Sequence, residues 1–139
     1  MAYIFTTRDP IQHAQAIGTT TLVPRKDAPI EWVACNGRRG SVSYTVRNTA
    51  SVPLYFYNEQ RRIEVKRDGK WHILKQLIVP VYVDDVFQLN AGESRQDHFY
   101  FQQIYGRLLP GEYRMMFCVR SANALSAESY WIAKEFTIK

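Results

Sequence analysis

The sequence has few cysteines, no long apolar run and no glycine-rich phosphate loop, and these shortages narrow the possible classes of protein. Its two cysteines, Cys35 and Cys118, form no CxxC pair and no disulfide framework, so neither a reducing nor an oxidising compartment is excluded. No segment approaches the ~18 consecutive apolar residues of a membrane-spanning helix. Residues 1–10 lack the basic start and apolar stretch of a signal peptide, and none is predicted.

The composition indicates one globular domain of β type. The chain has 139 residues, of which 46% are apolar, enough for one hydrophobic core without a disulfide or a metal. Valine, isoleucine, threonine and aromatic residues recur throughout, and these side chains suit a pleated sheet. The formal net charge of +5 makes an anionic polymer a possible partner. Because the basic residues are spread along the chain, we interpret the charge mainly as a contribution to solubility.

Short stretches of alternating polarity between turn signals predict seven or eight strands. Turns are indicated by dipeptides such as Asn36-Gly37, Asp68-Gly69 and Pro110-Gly111, and no convincing helical period is present. The fold class predicted is therefore all-β, an antiparallel sandwich of immunoglobulin-like type. The strands are expected at Ile30–Ala34, Ser41–Arg47, Arg62–Lys66, Trp71–Leu74, Val86–Leu89, Gln96–Phe101, Tyr113–Arg120 and Trp131–Ile138.

Residues 1–29 are less patterned than the rest. They contain three prolines and one short amphipathic piece, Ile11–Ile17, that is long enough for one or two helical turns. We predict that 1–29 form an N-terminal arm or an irregular first strand, and that 30–139 form the sandwich domain.

The segment Leu108–Met115 has the pattern of a tyrosine corner, in which a turn delivers a tyrosine to strand F of a sandwich. Tyr113 is the candidate tyrosine, with Gly111 in the turn and Leu109 upstream. We expect its hydroxyl to bond to nearby backbone, which favours a sandwich over a barrel.

The wider pattern resembles a family of bacterial immunoglobulin-like domains that occur largely in envelope proteins of Gram-positive bacteria. Five short motifs follow the family's order over roughly residues 40–139. They are Tyr44–Asn48 followed by Tyr55, Ile63–Lys66 with Asp68–Trp71, Leu89–Ser94, Ile104–Leu108 with Pro110–Arg114, and Ala133–Ile138.

The resemblance implies no known enzyme activity and assigns no catalytic residue. No cofactor is expected. The family usually follows an export leader; the localisation is therefore the cell envelope if a leader was removed, and otherwise the cytoplasm or a virion. Antibody-type domains join strands B and F by a disulfide. Here the residue two positions after Tyr113 is Met115, and strand alternation points Cys118 away from the inward face. Both cysteines are therefore expected to be free thiols.

The residues offer little support for catalysis or metal binding. The only candidate bases are His13, His72 and His98, and none lies in a nucleophile motif. Asp84-Asp85 provides too few carboxylates for the six to eight oxygen ligands of calcium. No HExxH motif or Cys/His zinc spacing occurs. We therefore predict that the protein is not an enzyme and holds no metal.

The basic run Arg61–Lys70 is the one local candidate for nucleic-acid binding. Its alternation places Ile63 and Val65 inward, which predicts that Arg62, Glu64 and Lys66 form the solvated face of a strand. We favour this interpretation over a phosphate-binding surface.

Aromatic residues supply the candidate binding residues. Two segments, Leu54–Tyr57 and Phe99–Phe101, carry large rings at successive positions and therefore on both faces of their strands. Only one face of a strand can meet the core, so some of these rings are surplus to it. The surplus rings either lie beneath loops or the arm, or form an exposed patch. The hypothesis for a protein contact names Tyr55, Tyr57, Arg61, Arg62 and Tyr100.

These observations leave two functional hypotheses. In the first, the domain is a non-catalytic interaction module that contacts another protein, itself or a cell-envelope polymer. In the second, it is a structural assembly or decoration protein of a particle, for example of a phage, and its arm reaches into a neighbour.

Overall fold

A computed structural model describes residues 14–79, 85–121 and 128–139, and these form nine strands and one single-turn helix. The elements in chain order are β1 Ala16–Thr19, β2 Ile30–Gly37, β3 Ser41–Asn48, β4 Leu54–Arg67, β5 Lys70–Leu74, β6 Val86–Leu89, β7 Ser94–Tyr100, α1 Gln102–Tyr105, β8 Gly111–Arg120 and β9 Ser129–Ile138.

The strands form two antiparallel sheets that enclose one core. The larger sheet has the order β1-β5-β4-β8-β9 with β6 also paired to β4, and the smaller has the order β2-β3-β7. Alternation decides which side chains face inward. Val42, Tyr44 and Val46 of β3 are buried from the small sheet, and Met115 and Phe117 of β8 from the large one. The predicted immunoglobulin-like sandwich is confirmed, with nine strands among the described residues where seven or eight were expected.

The hairpin between β4 and β5 has the geometry that its sequence predicts. Arg67 pairs with Lys70, which leaves the two-residue turn Asp68-Gly69 between them. Both turn residues have positive φ, 53° and 74°. This backbone is the one that Asp-Gly favours, and its twist matches that of the flanking strands.

The described part of the N-terminal region contains a strand and not a helix. Ala16 and Ile17 lie in β1, which pairs with β5, so a helix over Ile11–Ile17 is wrong for the residues from 14 onward; 11–13 lie outside the described residues. Pairing with β5 provides hydrogen-bond partners for the backbone groups of this strand, whereas an isolated helix of one or two turns is only marginally stable. The boundary between arm and domain at residue 30 stays a prediction.

After β1 the chain crosses the large sheet. The Thr20 N–H donates to the Trp71 carbonyl in β5 at 3.0 Å, and the Arg25 N–H donates to the Trp131 carbonyl in β9 at 2.7 Å. Three strand spacings, about 14 Å, separate β5 from β9, so the six residues from Thr20 to Arg25 must run extended. We call Thr20–Ala28 the crossing segment. It carries the chain from the large sheet to β2 in the small one.

Part of the face of the large sheet that points away from the core is also buried. Met116 and Cys118 of β8 are almost completely inaccessible, although neither belongs to the core between the sheets. Cys35 and Cys118 are both free thiols, and burial raises the pKa of each above its ordinary value.

The predicted solvated face of β4 is wrong. Glu64 is 0% exposed, and Arg114 of the neighbouring strand is also buried. One Glu64 carboxylate oxygen accepts from Nε and Nη2 of Arg114 at 2.8 and 2.7 Å, and the other accepts from Arg62. Arg62 also donates to the Thr20 hydroxyl at 2.6 Å. The crossing segment therefore meets an ion network on a face that strand alternation alone assigns to solvent.

Candidate functional site

The structure separates the three candidate tyrosines. Tyr57 is buried, with the Arg120 guanidinium 4.9 Å from its ring centre, and Tyr55 is half-buried. Tyr100 is 72% exposed, and its ring stacks on His98 with centres 5.4 Å apart. Of the two alternatives for the surplus rings, burial beneath other parts of the fold therefore applies to Tyr57, and exposure at the surface applies to Tyr100.

Arg61 lies in the seam between the two sheets. One of its terminal nitrogens donates to the Tyr44 hydroxyl at 3.0 Å and to the His98 carbonyl at 3.1 Å, and the guanidinium carbon is 4.6 Å from the centre of the Phe99 ring. Burial raises the pKa of Tyr44 to about 12, an effect that the Arg61 charge partly opposes. These contacts engage Arg61 within the fold, as Glu64 and Thr20 engage Arg62.

The outer edge of β7 is occupied at His98. Both backbone groups of this residue have partners from outside β3: its N–H donates to the Asp97 carboxylate at 2.8 Å, and its carbonyl accepts from Arg61. A strand whose outward groups are occupied is a poor template for an added strand. The edge is therefore blocked at this residue, and Tyr100 marks the point where the strand reaches the end of the sandwich.

A wide groove lies beside Tyr100. Its volume is about 1240 Å³, and we call it the end groove. It is bounded by the β2–β3 turn, the one-turn helix and the end of β9. Its lining residues are Asn36, Gly37, Arg38, Arg39, Gly40, Ser41, Tyr100, Gln102, Gln103, Arg107, Thr137, Ile138 and Lys139.

The wall formed by the β2–β3 turn is held in place by backbone contacts. The Gly40 carbonyl accepts from the N–H groups of Phe101 and Gln102, both at 3.1 Å. The Leu108 N–H donates to the Arg39 carbonyl at 2.7 Å, and Arg39 Nε donates back to the Leu108 carbonyl at 2.9 Å. A side chain at Gly40 would overlap the Gln102 amide. The turn is thus tied to the helix region at several points, which preorganises the groove.

The residues of the predicted tyrosine corner lie at the same end of the sandwich. The Tyr113 hydroxyl donates to the Leu109 carbonyl at 2.6 Å, and a Cβ added at Gly111 would lie 3.6 Å from the Tyr113 ring. Burial raises the pKa of Tyr113, and the charges of Arg67 and Arg39 partly offset that rise. This bond fixes the loop that holds Leu108 and, through it, the turn that carries Arg39.

The end groove is strongly basic. Four of its described lining residues carry a positive charge, namely Arg38, Arg39, Arg107 and Lys139, and none of the described lining residues is an aspartate or glutamate. Three of these four are arginines, whose planar guanidinium groups can bind oxyanions with two parallel hydrogen bonds. Arg39 already uses its Nε to bind the Leu108 carbonyl and can offer only its terminal nitrogens. Arg38, Arg107 and Lys139 are exposed. The arrangement suits the binding of an anion.

Sequence reasoning missed this site. The groove's cations come from three separate stretches of chain, around residues 38, 107 and 139, and only Tyr100 was among the residues singled out. The available signal was the pair Arg38-Arg39 directly after the turn dipeptide Asn36-Gly37, since residues at a turn tip project from the end of a sandwich.

The remaining chemical candidates are the three histidines and the pair Asp84-Asp85. His72 is half-buried in β5, and His98 is exposed beside Tyr100. Asp85 is exposed, and its carbonyl accepts from the Asn58 N–H. His13 and Asp84 lie outside the described residues. Across 14–79, 85–121 and 128–139, no group of three or more His, Cys, Asp or Glu residues is placed to hold a metal ion.

These features define an immunoglobulin-like sandwich with a basic groove at one end. The chain matches the family model of the bacterial Ig-like domain over residues 34–137, three quarters of its length. It therefore belongs to that family, as its motifs indicated, and domains of this kind are typically non-enzymatic modules. No curated protein and no solved structure matches the chain. Among the described residues, no helix has the length and apolarity needed to cross a bilayer.

Proposed function

We propose that this domain is a non-catalytic binding module that contacts its macromolecular partner through the end groove. The observation that carries the proposal is the grouping of four cations around an open groove, with no acidic side chain among the lining residues that the structure describes. Exposed Tyr100 stands at the rim of the same groove. Tyrosine and arginine are the residues most often found as energetic anchors of protein interfaces.

Four of the five residues in the protein-contact hypothesis, namely Tyr55, Tyr57, Arg61 and Arg62, do not line this groove. Tyr57 is buried, and Arg61 and Arg62 bind groups within the domain. The proposal therefore retains Tyr100 and replaces Arg61 and Arg62 by the cations of the groove. The particle-assembly alternative depends on 1–29, of which 1–13 lie outside the described residues.

Charge reversal within the groove tests the proposal. The variant Arg38→Glu/Lys139→Glu changes two exposed cations and lowers the formal net charge from +5 to +1, since each substitution removes two charge units. Binding of poly-L-glutamate and of linear polyphosphate is measured by isothermal titration calorimetry at low and physiological salt. We expect the affinity for the preferred probe to fall at least about tenfold.

The matched control is Lys26→Glu/Lys75→Glu. Both lysines are exposed, neither lines the groove, and the formal net charge again becomes +1. If only total charge mattered, the two double variants would lose affinity equally, because long-range attraction depends on net charge. Equal losses, or no binding of either probe by the unmodified protein, would contradict the proposal.

A further inference from the structure

We infer that the ligand of the end groove is an acidic polypeptide segment of a partner protein, and this inference rests on the proposed function. The size of the groove is the first argument. At about 1240 Å³ it exceeds the roughly 300–1,000 Å³ of a typical small-molecule pocket. A site this large and basic fits a stretch of polymer with several negative charges better than it fits a single small anion.

The hydrogen-bonding groups of the lining distinguish a peptide from a phosphate polymer. Gln102, Gln103 and Thr137 are exposed in the groove, and their amide and hydroxyl groups both donate and accept. A peptide backbone offers N–H donors and carbonyl acceptors, so it can use both functions. A polyphosphate chain offers only acceptors and would leave the glutamine and threonine acceptors unused. The lining is thus complementary to a peptide that carries carboxylates.

Tyr100 adds an apolar contact at the rim. Its ring is 72% exposed, and its stacking on His98 limits the freedom that binding would remove. A rigid aromatic ring beside arginines is the usual composition of an anchor for a protein partner.

The blocked edge of β7 directs the segment into the groove. Asp97 and Arg61 occupy the outward backbone groups of His98, so a partner strand cannot pair continuously along β7 past this residue. The acidic segment is therefore held mainly by side chains of the groove and not by strand addition.

The test compares two polyanions of equal charge per chain, poly-L-glutamate and linear polyphosphate, by calorimetry with the 139-residue chain. We expect poly-L-glutamate to bind about tenfold more tightly than polyphosphate. Tyr100→Ala should weaken poly-L-glutamate binding several-fold, whereas Tyr100→Phe, which keeps the ring, should bind like the unmodified protein. Melting temperatures of both tyrosine variants verify that they are folded.

The outcomes separate the inference from the function on which it rests. Polyphosphate binding that is as tight as poly-L-glutamate binding, and that still depends on Arg38 and Lys139, would overturn the acidic-peptide inference and leave the binding groove intact. Unchanged poly-L-glutamate binding by Tyr100→Ala would also overturn it. If the Arg38→Glu/Lys139→Glu variant matches its lysine control with both probes, the proposed function itself fails.

Discussion

Replacement of Glu64 by glutamine should destabilise the domain substantially, because this carboxylate lies between two arginines with no access to water. Removing one partner of a buried ion pair costs about 3–5 kcal/mol. Arg114 is only 7% exposed and keeps an uncompensated charge, whereas Arg62 is 25% exposed and regains some hydration. We therefore expect a loss at the lower end of this range, about 3 kcal/mol in the free energy of unfolding. For a chain of 139 residues this corresponds to a decrease of about 10 °C in melting temperature.

Urea denaturation followed by tryptophan fluorescence measures this loss, and Trp71 is a local reporter because the Arg114 guanidinium lies 4.6 Å from its ring centre. Glu112→Gln is the matched control, since Glu112 is an exposed carboxylate on the same strand as Arg114 and should change stability by less than about 0.5 kcal/mol. Substituting Glu64, Arg62 and Arg114 together by methionine should recover much of the loss. Equal stability of Glu64→Gln and Glu112→Gln would refute the reasoning.

Three further predictions concern stability. Tyr113→Phe removes the bond to Leu109 and should lower the free energy of unfolding by about 0.5–1.5 kcal/mol without abolishing the fold; an unchanged melting temperature would argue against a tyrosine corner. Burial raises the pKa of Tyr44 to about 12 in the folded state, so its contribution to stability is complete below pH ~10 and is lost as pH rises from ~10 to ~12. Denaturation across that range should give a shallower decline for Tyr44→Phe than for the unmodified protein, and parallel curves would contradict this assignment. Gly37→Ala places a methyl group into the Phe136 ring and should cost about 1–3 kcal/mol, measured by thermal denaturation; a variant as stable as the unmodified protein would show that the ring moves aside freely.

The features predicted successfully are those governed by neighbouring residues. The strand Ser41–Arg47 was recognisable because side chains alternate between the faces of a strand, and β3 buries the predicted Val42, Tyr44 and Val46. The Asp68-Gly69 hairpin was recognisable because its two-residue turn requires positive φ. Both signals are local, and the tertiary structure did not override them.

The failures arose where distant segments meet. Strand alternation correctly predicts that Glu64 points away from the core. The sequence does not reveal that Arg114 lies beside it or that the crossing segment reaches this face. Alternation also predicts correctly that Cys118 points away from the core, yet this cysteine is buried on the other face of the sheet. Alternation specifies a face of a sheet and not what covers that face.

By itself, the sequence determined the all-β class, most of the strands and the family, because these depend on periodicity and turn chemistry within short windows. Only the tertiary structure decided that Arg61 belongs to the seam between sheets and that Arg38, Tyr100, Arg107 and Lys139 surround one groove. The physical reason is that a sandwich brings strand ends from remote parts of the chain to the same end of the molecule. A binding surface built there has no continuous signature along the sequence.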